Sequence, residues 1–77
     1  MDMQAIIREA LSAANAAAQP YHHPGRREDF AIATVRFGPG QVKHFSGPER
    51  FAETQAMTFA EVLRKHGIKA SWTSRVD

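Results

Sequence analysis

The chain reads as an α+β domain in the order α-β-β-α-β: a three-stranded, mainly antiparallel sheet of spatial order 2-1-3 with two helices packed on one face. Three observations predict it. Apolar residues recur at helical spacing over 3–19 and again over 48–66. Two runs rich in Phe, Ile and Val flank Gly38-Pro39-Gly40. The last segment, 68–76, alternates strictly between two faces. All 77 residues belong to a single domain, since no linker, repeat or low-complexity stretch divides them.

The first helix, 3–19, places apolar side chains at 3, 6, 7, 10, 11, 14, 17 and 18 and polar ones at 8, 12, 15 and 19. Asp2 is placed to cap it, and Pro20 to end it. Much of its apolar stripe is alanine, which buries little area but lets another backbone approach, from this chain or from a second copy. The polar connection 20–28 follows, then a hairpin over 29–46 whose reversal uses the fixed φ of Pro39 and the freedom of Gly40. Ser46 or Gly47 is expected to cap the second helix, 48–66, with Pro48 and Glu49 in its first turn. Thr58 and Glu61 form an alternative capping box, so a break near Thr58 competes with one continuous helix. His66-Gly67 supplies the stop. In the last strand Ile68, Ala70, Trp72, Ser74 and Val76 share the expected core side, and Lys69, Ser71, Thr73 and Arg75 the wet side. The crossover through the second helix, if right-handed and skipping one strand, lays this strand beside the first.

Composition narrows the function. At this length one small core must carry the fold, and a partner or self-association is a reasonable source of further stability. A net charge of +2 is too mild for a polycation. The apolar stretch nearest the N-terminus is interrupted by Arg8, Glu9, Ser12 and Asn15, so neither a secretion signal nor a membrane span is read there, and a cytoplasmic address is the default. The absence of cysteine excludes disulfides, a thiolate nucleophile and cysteine-ligated metal centres.

Candidate chemistry is sparse. His22, His23, His44 and His66 lack metal-ligand spacing, and loop and helix-end positions account for them; no metal and no cofactor are expected. The tract PYHHPGRRED, 20–29, is read mainly as a connector whose Arg26 and Arg27 are its most probable contact residues, although Glu28 and Asp29 stand ready to neutralise them. The stretch 62–76 carries Arg64, Lys65, Lys69 and Arg75 and no acid. With Ala31, Ala33, Val35 and Phe37 turned inward, Arg36 joins the exposed face together with Phe30, Ile32 and Thr34. A metal-dependent nuclease of this element order needs an acid-x-lysine on the second hairpin strand. Gln41-Val42-Lys43 offers an uncharged glutamine, and Asp29 lies at the wrong end of its strand, so that site is incomplete.

The expectation is therefore a non-enzymatic binding protein acting through protein–protein association, homodimerisation included, as an inhibitor or adaptor of a nucleic-acid-handling machine; the alanine-rich, arginine-biased composition is of bacterial or phage type. The alternative is direct binding of DNA or RNA. The contact residues for either are Arg26, Arg27, Arg36, Lys43, Lys69 and Arg75. No membrane contact is expected.

Overall fold

The structure is a computed structural model that describes residues 2–21 and 29–76. The element order is α1 (Met3–Ala18), a 3-10 turn (Gln19–Tyr21), β1 (Phe30–Gly38), β2 (Gln41–Pro48), α2 (Glu49–Lys65) and β3 (Ser71–Val76). The strands form one antiparallel sheet of order β2-β1-β3, with the helices on one side of it, as the sequence predicts. Arg26 and Arg27, expected as contact residues, lie outside the described residues, as do His22 and His23.

Asp2 caps α1 through its carboxylate, which accepts from the Gln4 amide at 3.1 Å. At the other end Pro20 does not stop the winding at once. The Gln19 amide donates to the Ala16 carbonyl, three residues back, and the chain tightens through Tyr21. The two helices run antiparallel: Gln55 of α2 donates to the Asn15 side chain at 2.9 Å, and His66, just past α2, meets Glu9 at 3.2 Å.

Alanine does much of the packing. Ala10 and Ala14 of α1, Ala31 and Ala33 of β1, and Ala52, Ala56 and Ala60 of α2 are fully buried in one core. Small side chains on facing elements bring backbones close, so the space between them is filled by a few large residues, of which Phe59, Leu63 and Val35 are fully enclosed. Phe59 lies edge-on to Phe45 at 5.4 Å and to Phe37 at 5.8 Å, a geometry that sets the positive ring edge against a negative face. Phe37 is the extra residue where the β1–β2 register shifts near the hairpin end.

Several boundaries differ from the sequence reading. β2 runs on to Pro48, so neither Ser46 nor Gly47 caps α2; the N-cap is Pro48, which has no side-chain cap bond. The first helical amide, that of Glu49, donates instead to the Asp29 carbonyl at 3.0 Å, tying the entry of β1 to the start of α2. Thr58 causes no break: α2 is continuous because Ala56, Phe59, Ala60 and Leu63 keep one buried face across that point. β3 begins at Ser71 rather than at residue 68. Ile68 is occupied in closing α2, where its amide bonds the Leu63 carbonyl while the Gly67 amide bonds that of Arg64. That pair of bonds is a Schellman motif; Gly67 has φ +80°, a conformation glycine adopts at no steric cost.

Candidate functional site

One face of the sheet carries the helices and the other is open. Register decides which side chains share the open face, because residues alternate along a strand and cross-strand partners lie on the same side. Ala31, Ala33 and Val35 point into the core, so the even positions of β1 point away from it. Three cross-strand rows result: Ser46, Ile32 and Arg75; then His44, Thr34 and Thr73; then Val42, Arg36 and Ser71. Phe30, opposite Pro48, lies one row beyond the first, at the start of β1.

This face is apolar and cationic at once. Phe30 is 50% exposed, Val42 42% and Ile32 39%. Arg75 in the first row and Arg36 in the third lie two rows apart along the strands and one strand apart across, roughly 15 Å between their backbones. Between them Thr34 Oγ1 and His44 Nδ1 share a hydrogen bond at 2.9 Å, which orients the ring. A shallow depression joins Ile32, Thr34, Arg36, Val42, His44, Thr73 and Arg75. Among the described residues the acids are Asp2 and Glu9 on α1, Asp29 just before β1, and Glu49, Glu53 and Glu61 on α2; none belongs to the open face. The Ser74 hydroxyl donates to Glu53, which places the even residues of β3 on the helix side and confirms Arg75 on the other.

The anticipated contact residues are thereby sorted. Arg36 and Arg75 share the open face. Lys69 lies before β3, in the connection from α2. Lys43 pairs with inward-facing Val35 and sits on the helix side of the sheet, its ammonium 5.8 Å from the Phe45 ring. It reaches water because β2 is an edge strand, and does not join the other cations. Three members of the face were missed from sequence: Val42, His44 and Ser46. A plain count through the two-residue turn misplaces them, setting 44 opposite 35 and 42 opposite 37; the extra residue Phe37 shifts the register by one and brings 44 opposite 34 and 42 opposite 36.

Among the described residues no group of three or more His, Asp or Glu side chains is placed to hold a metal. Gln41, Val42 and Lys43 stand at the hairpin start, with Gln41 paired to Gly38 and no carboxylate beside it in the register. No helix of the described residues is long and apolar enough to cross a membrane. Comparison with protein-family models, curated proteins and solved structures found no match for the chain.

Proposed function

We propose that the protein is a non-enzymatic binding module whose open sheet face takes single-stranded nucleic acid. The observation that carries this reading is that Arg36 and Arg75 share, with exposed Phe30 and Ile32, a face that bears no carboxylate among its described residues. Phe30 offers a ring on which a base stacks, a contact of about 1–3 kcal/mol that tolerates any base. The two guanidinium groups fork onto backbone phosphates, and Thr34, His44 and Thr73 lie between them as hydrogen-bonding groups for base edges or sugar hydroxyls. Fluorescence anisotropy with labelled 12-mer DNA and RNA tests it. Two phosphate contacts give a slope of about −1.4 for log affinity against log salt. Arg36→Gln with Arg75→Gln should remove binding while the melting temperature holds. Retained binding by that double variant defeats the reading.

Association with a protein is the second reading, and one observation favours it: among the described residues β2 and β3 are both edge strands, each with one side unpaired and open to strand addition. An inhibitor or adaptor role for such a complex remains within this reading. Of the alanines in the α1 stripe, Ala10, Ala14 and Ala18 are fully buried within the fold, while Ala17 is exposed. Light scattering across a concentration series separates the readings, since self-pairing through an edge raises the mass and hardly responds to salt.

A further inference from the structure

Beyond the sheet face, at the end of the sheet where α2 turns into β3, a second concavity is lined by Arg36, Arg64, Lys69 and Ser71 with Gly67 and Ala70. Its three cations come from three different elements, β1, α2 and the α2–β3 connection, and no acid among the described residues lines it. Like charges that converge without a counter-charge repel one another, so an anion entering here gains from all three. A basic residue near a helix C-terminus is ordinarily explained by the helix dipole. That explanation reaches only Arg64, and the carbonyls of Leu63 and Arg64 already accept the amides of 66, 67 and 68. The Arg64 guanidinium is instead held past the helix end, its Nε donating to the Ala70 carbonyl at 2.9 Å, which leaves its two terminal nitrogens free to form a fork. At Gly67 even an added methyl group would meet no atom within 4 Å, so the mouth is open.

We propose that this concavity seats a phosphate monoester, and that its source is the terminal phosphate of the strand lying on the open sheet face. Arg36 lines both depressions and joins them, so a strand crossing the rows from Arg75 toward Arg36 delivers its end to Arg64 and Lys69. A terminal phosphate carries more charge and more free oxygens than an internal diester, which suits a site with three cations and a hydroxyl. The assignment of the source rests on the sheet-face reading; the phosphate chemistry of the pocket does not.

Two measurements on the full chain test it. In a titration with inorganic phosphate followed by amide NMR, the signals of Gly67, Lys69, Ala70 and Ser71 should move and saturate, and Lys69→Gln should suppress the change. In anisotropy, 12-mers ending in a phosphate should bind about tenfold more tightly than the same strands ending in hydroxyls, as one charge-assisted hydrogen bond gives; Lys69→Gln should remove that preference. Saturable shifts with phosphate but no binding of any oligonucleotide would uphold the pocket, reassign its ligand to a small free phosphate and defeat the sheet-face reading. Equal binding of both strand types, with phosphate leaving these amides unmoved, would overturn the pocket while the sheet-face reading stands.

Discussion

Phe59 touches two other rings and is fully buried at the centre of a core otherwise built largely from alanine. Replacing it by alanine should cost about 3–5 kcal/mol. A domain this size has roughly 4–12 kcal/mol in total, so urea denaturation should find the Phe59→Ala variant barely folded. Asn15 and Gln55 make a smaller contribution. Gln55 is buried and its amide nitrogen depends on Asn15, so Asn15→Ala should lower stability by about 1 kcal/mol, seen as a shifted urea midpoint at unchanged slope. Trp72, expected from its alternation to be an enclosed core residue, is only part-buried, because β3 is an outer strand. Trp72→Ala should accordingly cost less than Phe59→Ala, near 2 kcal/mol in the same assay. The positions of Arg36 and Arg75 were legible from period-two alternation alone. That of Lys43 was not, since charge was counted there without register.

At the scale of elements, the α2–β3 junction shows what periodicity leaves undecided. The alternation from Ile68 onward is real, but hydrogen bonding takes Ile68 for the helix stop and Ala70 for Arg64, so strand pairing waits until Ser71. Gly67 makes this possible, and Gly67→Ala should destabilise by about 1 kcal/mol through backbone strain alone, because space is available for the methyl group. Gly47 is a contrasting case: at φ +146° an added Cβ would also press on the Phe51 ring at 3.2 Å. Gly47→Ala should therefore lose more stability than Gly67→Ala, and a comparison of their thermal midpoints checks the order. The two helices, the hairpin and the final strand were all readable from sequence. The cap of α2 was not, because its donor's partner, the Asp29 carbonyl, lies twenty residues earlier and is brought there only by the folded sheet.

Taken as a whole, the molecule keeps its described acids off the open face of the sheet, while cations stand on both sides, Arg8, Arg50, Arg64 and Lys65 on the helices and Arg36 and Arg75 on the open face. The acids of α1 and α2 lie on the helical side, while Arg36 and Arg75 mark the open side of the sheet, and the concavity with Arg64 and Lys69 continues that cationic surface around its end. Net charge alone, at +2, would not distinguish this from an ordinary surface; the antiparallel register does, by turning one set of residues outward together. Amide NMR during titration with a single-stranded 12-mer at low salt tests this most directly. The account expects saturable shifts concentrated at Phe30, Ile32, Thr34, Arg36, His44, Thr73 and Arg75, fading as salt is added. Shifts confined to α1 and α2, or a spectrum that stays unmoved, would contradict it.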